Sequence, residues 1–272
     1  MGDIINHQDM IVMNMQTSPE QAAGHVAEQP VPRQVQRVRH ELKRRDVQVL
    51  RVANVSPQFR RVTFGGEALS DFVSASFDDH VKAFFPAGAD TVVGRDYTPR
   101  RFDNAACELD IEFALHGDGP AANWAQQAAP GQRLTVGGPR GSFVVPTDFD
   151  WHLLVGDDTA LPAVARRLEE LPAGSHAMVL MQVDEADRRV LASRAEVKLQ
   201  WLPDSASLLA AVRSLQLPPG FGYAWCAGEA SVAAELRRII VGEKGHDPKA
   251  IRAAAYWKRG ASAHHENLED PR

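Results

Sequence analysis

The chain has 272 residues, 44% of them hydrophobic, and a formal net charge of -5, which allows two domains with real cores and excludes nucleic-acid binding through bulk charge. Its two cysteines, Cys107 and Cys226, are too few for a disulfide framework, and no CxxC or His/Cys cluster suggests a metal site, so a reducing, cytoplasmic compartment fits. No apolar run approaches the roughly 20 residues of a membrane helix, and the opening MGDIINHQDM lacks the basic start and apolar stretch of a signal peptide.

Met1 to about Gln36 is rich in Gln, Pro and Ala without a period, and reads as a mobile leader, drawn to residue 42. Over residues 43–147 the pattern is strand-like. VQVLRVA, FRRVTF, HVKAFFP, ELDIEFAL and QRLTVGG alternate apolar with polar residues between Gly, Pro, Asp and Asn, which argues for an antiparallel β-barrel. One short helix, GPAANWAQQ, interrupts it, with Pro120 suited to the first turn.

After Phe149 the texture changes. WHLLVG is a continuous apolar strand, and it runs into a helix whose Leu161, Val164, Leu168 and Leu171 share one face. The strands AMVLMQV, VKLQWLP and FGYAWCAG follow, with helices SASLLAAVRSL and EASVAAELRRIIVGEKG, the latter turning Val232, Leu236, Ile239 and Ile240 inward. Alternating strand and helix means an open parallel α/β sheet over residues 148–262, leaving 263–272 as a tail.

Four segments bear chemistry in the first half or at its edge. In GRDYTPRRFD, Arg95 and Tyr97 fall on one strand face, where a phenol could lie on an isoalloxazine, Thr98 offer a hydroxyl near its N5, and Arg95 reach a phosphate. An edge strand with one buried tyrosine explains the same pattern. ALHGDGPAANWA leads a Gly-Pro turn into a helix, whose N-terminus favours an anion such as a pyrophosphate; a small capped helix with Trp124 in the core is the alternative. GGPRGSFVVP is a glycine-rich turn carrying Arg140. HVKAFFP puts Lys82 on the face of His80 and Phe84, where it is either a contact for an anionic substrate or a snorkelling surface lysine.

The order RxYT, HGxGPAxxWA, GPRGSF resembles the siderophore-interacting protein family, flavin reductases with a ferredoxin-reductase-like plan of a Greek-key FAD barrel followed by a nucleotide-binding α/β domain. The resemblance runs from about residue 43 to 262. It implies FAD held by Arg95, Tyr97, Thr98, His116, Gly119, Pro120, Ala121, Ala122, Trp124, Gly141 and Ser142, with Thr98 and Tyr97 at the reacting edge.

There is no GxGxxG. Instead WHLLVGDDTALPA resembles the family's nicotinamide segment. Asp158 and Thr159 are good N-cap types, Pro162 suits the first turn, and Ala160 lies between them. WCAGEASVAAELR is the second such turn, with Gly228 and Glu229 opening a helix; Cys226 is either near the nicotinamide or a buried small hydrophobe. After AMVLMQV, Asp184 and Glu185 suit a ribose hydroxyl and NADH, whereas Arg188 and Arg189 suit a 2′-phosphate; the resemblance favours NADPH.

The resemblance further implies a ferric siderophore as small-molecule substrate, met by Lys82, Arg140 and the closing AAAYWKRG, with Trp257 capping a pocket and Lys258 and Arg259 adding charge. Lys258 stands where the family usually has Arg, keeping the charge without the planar fork. His264 and His265 read as tail residues, and no metal ligands are assigned. The implied reaction is electron flow from nicotinamide through flavin to Fe(III), releasing Fe(II). A monomer is favoured. The competing readings are a general flavin or ferredoxin-type reductase, against which no iron–sulfur cysteines are present, and a siderophore-binding module without flavin.

Overall fold

The computed structural model describes residues 33–88, 91–115, 119–260 and 266–267. Two large sheets follow one another along the chain. The first contains β2 (Arg44–Ser56), β3 (Phe59–Gly65), β4 (Val81–Pro86), β5 (Val92–Tyr97), β6 (Arg101–Asp103), β7 (Glu108–Ala114) and β8 (Arg133–Gly137). Its order is β5-β4-β8-β2-β3-β7-β6, antiparallel throughout. The sheet curls until Tyr97 at the end of β5 meets Phe113 of β7 with ring centroids 4.5 Å apart. Alternation explains the core. Val47, Val49, Val62, Phe64, Phe85, Ile111 and Phe113 all point inward and are buried, each contributing roughly 1.5–3 kcal/mol of apolar burial. Helix α1 (Pro120–Gln127) plugs the barrel with Ala121 and Ala125.

A two-stranded ribbon lies outside this sheet: β1 (Gln36–Arg39) pairs antiparallel with β9 (Gly141–Val144). Residues 36–39 were assigned above to the leader, because QRVR has no apolar alternation; their pairing is carried by backbone hydrogen bonds alone, and all four are exposed.

The second sheet has the order β12-β11-β10-β13-β14-β15. Its strands β10 (Trp151–Asp157), β11 (His176–Gln182), β12 (Glu196–Leu202), β13 (Gly222–Glu229) and β14 (Ile251–Trp257) are parallel, and β15 (Glu266–Asn267) adds an antiparallel edge within the stretch read as a tail. Helix α2 (Leu161–Glu170) covers one face; α3 (Ser205–Ser214) and α4 (Ala230–Arg237) cover the other. β10 is therefore buried along its whole length. The inward residues expected on α2 and α4 are those found in the two cores, though α4 widens into a π-helical turn over Arg238–Glu243. The sheet reverses direction between β10 and β13, and in open α/β sheets the crevice beyond that switch point is where ligands bind.

His152 on β10 is 1% exposed. Burial, aided by the Arg167 charge, pushes its imidazole down from 6.5 to about 4. A folded-state value below the unfolded one means stability is complete above pH 6.5 and drains as pH falls toward 4. We expect a loss of about 3 kcal/mol across that window. Urea titrations of wild type and His152→Gln at both ends check this, and equal slopes in the two proteins would refute it.

Candidate functional site

The C-terminal edge of the parallel sheet is knotted by one carboxylate. Asp157, the last residue of β10, is 7% exposed. Its Oδ1 accepts from the Thr159 backbone N–H at 3.0 Å and from the Thr159 hydroxyl. Its Oδ2 accepts from the Glu229 N–H at 2.9 Å and from the Trp257 indole N–H at 2.8 Å. One side chain thus ties the ends of β10, β13 and β14 together. Burial, and then the neighbouring Asp158 charge, raise its carboxyl above the usual range despite these four donors. Two glycines make room. A Cβ at Gly228, which has φ +150, would lie 2.5 Å from Asp157 Oδ2, and a Cβ at Gly156 would lie 2.5 Å from the Ala227 carbonyl oxygen.

The capping role read above for Asp158 and Thr159 therefore moves one residue upstream. Asp157 is the cap, and Thr159 is its donor; the spacing of an Asx turn, with the acceptor two residues before the donor N–H, was the available signal. Ala160 and Pro162 follow in the buried first turn of α2. Glu229 caps α4, accepting from the backbone of Ser231 and Val232; burial works against its ionisation, but these bonds and one from the Arg259 N–H hold its carboxyl below the usual value. Cys226 is fully buried, and burial pushes its thiol up to about 12, so it is core rather than a reactive group.

From the other sheet, β5 delivers its end to the same place. Thr98, 8% exposed, shares a hydrogen bond with the phenol of Tyr256 on β14. Tyr256 was passed over because in AAAYW it reads as one more strand aromatic. Arg95 and Tyr97 pair with Ala83 and Val81 and so share one face of the sheet, and burial raises the Tyr97 phenol. An aromatic relay, Tyr97–Phe113 at 4.5 Å and Phe113–Trp124 at 5.9 Å, leads to α1. The α1 N-terminus has Gly119 at its cap without a side-chain bond, Pro120 in the first turn, and the small Ala121 and Ala122 beside it; nothing lies within 4 Å of a Cβ built at Gly119. His116 lies outside the described residues, as do His264 and His265.

Other candidates are placed differently. Ser142 follows Gly141 on β9, and its hydroxyl donates to Asp79 at 2.6 Å while meeting His40 Nε2 at 2.7 Å and the Ala75 N–H at 3.1 Å. Its bonding capacity is filled within the protein. Lys82 pairs with Asp96 at 2.7 Å on the outer face of the sheet, opposite to Arg95 and Tyr97. Arg140, Lys258 and Arg259 are exposed, and Trp257 is 37% exposed. Arg189, weighed above for a 2′-phosphate, ion-pairs with buried Glu112 of β7 instead, while Arg188 bonds the Val183 carbonyl. Among the described residues no group of three or more His, Cys, Asp or Glu could hold a metal, and no helix is long and apolar enough to cross a membrane.

Comparison with known proteins agrees with this division of the chain. A family model for the siderophore-interacting FAD-binding domain matches residues 48–94 and 87–143, and one for siderophore-interacting protein matches residues 149–260. The NADPH-dependent ferric-chelate reductase of Escherichia coli (strain K12) is 40% identical over 249 residues, covering 83% of this chain and 97% of the relative. A ferric vibriobactin reductase of Vibrio cholerae is 32% identical, covering 78% and 89%. Among solved structures, a siderophore utilization protein from T. fusca superposes with a TM-score of 0.79 at 33% identity over 85% of this chain and 98% of that one. A ferredoxin reductase of carbazole 1,9a-dioxygenase, at 18% identity and TM-score 0.62 over 80% and 70%, shares the fold. The chain belongs to the siderophore-interacting protein family.

Proposed function

We propose that the chain is an FAD-containing, NADPH-dependent reductase of ferric siderophores. One observation carries the reading: the Thr98–Tyr256 hydroxyl contact brings the RDYT strand end onto the sheet edge that Asp157 knots. The residues fit a flavin in the 43–147 half. Arg95 and Tyr97 share a face, and the uncapped α1 N-terminus with open space at Gly119 suits a pyrophosphate. The 148–262 half fits a nicotinamide nucleotide, because Gly156 and Gly228 leave bare backbone between Asp157 to Pro162 and Glu229. The E. coli relative is named for NADPH, and Arg188 is the cation at the end of β11 for a 2′-phosphate, with Asp184 and Glu185 opposing it.

Bound there, FAD would supply the two-electron to one-electron conversion between nicotinamide and Fe(III). The chain's own work is positional. Thr98 offers its hydroxyl at the junction of the two halves, Tyr256 orients that hydroxyl, and Asp157 fixes Thr159 and Glu229 where a nicotinamide would lie. Gly141, beside the exposed Arg140, keeps the turn slim; the Ser142 side chain is left out of the cofactor site. Lys82, Arg140, Lys258 and Arg259 supply cations for an anionic chelate, and Trp257 a stacking surface. Every group invoked comes from one chain, which suits a monomer, and two free cysteines suit the cytoplasm.

Purified protein should be yellow and should bleach anaerobically with NADPH, then recover on adding ferric chelates. A colourless protein that takes up no FAD would sink the reading. Reoxidation by ferredoxin but not by chelates would favour the protein-partner reductase. Lys82→Ala should raise the KM for ferric chelate about tenfold while leaving flavin bound; unchanged chelate kinetics would remove Lys82 from the site.

A further inference from the structure

We propose that the β1–β9 ribbon is a recognition surface for polyanionic ferric chelates, with Arg37 and Arg39 as its specificity residues; the proposal rests on the reductase reading above. β1 lies ahead of residue 48, where the FAD-binding family match begins, so nothing in that match accounts for it. The register sets Arg37 opposite Phe143, Val38 opposite Ser142 and Arg39 opposite Gly141. Alternation therefore sends both arginines to the face of Phe143, while Val38 shares the Ser142 face that the Asp79 network occupies.

On that face guanidinium groups gather. Arg37 lies 5.4 Å from the Phe143 ring centroid and Arg252 of β14 lies 4.4 Å from the same centroid. Arg252 is balanced by Asp78 at 2.7 Å. Arg39 has no carboxylate within ion-pair distance among the described residues. Opposite Arg39 there is only backbone, because a Cβ at Gly141 would sit 2.4 Å from the Val38 carbonyl oxygen. Positive charge is thus collected on one ribbon face of a chain whose formal net charge is -5. Like charges held together without counter-charge repel, and a polyanion relieves that repulsion. Planar guanidiniums also stack on aromatic rings, so a chelate with aryl arms fits better than an aliphatic one.

The face abuts the reacting edge. Asp78 and Arg252 are among the charges that act most strongly on the Tyr256 phenol, which bonds Thr98. A chelate resting on the ribbon is therefore beside the group proposed to face the flavin.

The test uses the full-length, FAD-loaded protein and redox-inert gallium(III) complexes, one a trianionic tris-catecholate and one a neutral tris-hydroxamate, read by quenching of tryptophan fluorescence. Arg39→Glu should weaken the trianion at least about fivefold more than the neutral complex, with a shallower salt dependence than wild type. The milder Arg37→Gln/Arg39→Gln pair, which leaves the backbone pairing intact, should fall between. Equal weakening of both complexes, no weakening, or no binding of either by wild type overturns the proposal. Parallel assays with the ferric forms and NADPH separate the two claims. Wild type that binds the gallium trianion through these arginines but reduces no ferric chelate would end the reductase reading and leave the surface standing. Reduction with unaltered selectivity in the variants would do the reverse.

Discussion

Glu112→Gln is expected to cost about 3–5 kcal/mol of unfolding free energy, because it removes the one anion shared by three arginines. Glu112 is 3% exposed on β7. Its carboxylate meets Arg61 of β3 at 2.5 Å, Arg189 beyond β11, and Arg100 at 3.5 Å. Arg100 also reaches Glu169 of α2 with a 2.7 Å bond. Glutamine keeps the volume and loses the charge, leaving guanidiniums that the surrounding protein cannot hydrate. Neighbouring bonds cannot take over: Arg166 is spent on Ser74 and the Pro99 carbonyl, and Arg167 on the carbonyls of Val145 and Pro146. These same groups set the two sheets against each other, so flavin reduction by NADPH should slow by about tenfold or more, since displacement on the scale of 1 Å is enough. Urea unfolding and stopped-flow bleaching are the measurements. A stability loss under about 1 kcal/mol would show that the cluster is screened like a surface pair.

That cluster also marks where sequence reading stops. WHLLVG announces a doubly covered strand by its composition, and the face Leu161, Val164, Leu168 is written in the helical period; both are local signals. Arg166 and Arg167 lie on the same helix and look like its wet side, yet they are 7% and 3% exposed. A second sheet covers them, and the partners are Ser74, Pro99, Val145 and Pro146, all remote in sequence. Glu112 fails the same way, since an acid in ELDIEFA alternates as an outward residue until Arg100 and Arg189 arrive from elsewhere. β1 is missed for the opposite reason: its order comes from main-chain pairing with β9, which side-chain patterns do not record. The candidate site was legible as motifs, because RDYT and GDDT sit at strand ends. Its working geometry was not, since the Asp157–Trp257 and Thr98–Tyr256 contacts join segments about a hundred residues or more apart.

Gly228→Ala should damage the nicotinamide side while sparing the flavin side. The position has φ +150, which an L side chain rarely adopts, and the new methyl would lie 2.5 Å from Asp157 Oδ2. Either the β13 backbone or the Asp157 carboxylate must move, and the bonds at risk are those from the Glu229 N–H and the Trp257 indole. Bonds to a charged acceptor are worth about 1.5–3 kcal/mol each, so a total loss of roughly 3 kcal/mol is expected once strain is included. The rate of flavin bleaching by NADPH should fall about 10- to 100-fold, because Thr159 and Glu229 lose their common anchor. FAD content should remain, as no group near Tyr97 or α1 is touched. Gly174→Ala separates strain from site: Gly174 has φ +86, but nothing lies within 4 Å of its Cβ, so it should cost stability without slowing bleaching. Asp157→Asn probes the same knot from the other side. One amide N–H₂ must then face the Thr159 or Glu229 N–H, a donor against a donor. Because burial raises the Asp157 carboxyl in the folded chain, its contribution to stability is fullest below the ordinary carboxylate value and is lost as pH rises through the raised one; Asn should remove that dependence. If Gly228→Ala and Gly174→Ala bleach at the same rate as wild type, Asp157 closes the sheet edge and has no part in placing the nicotinamide.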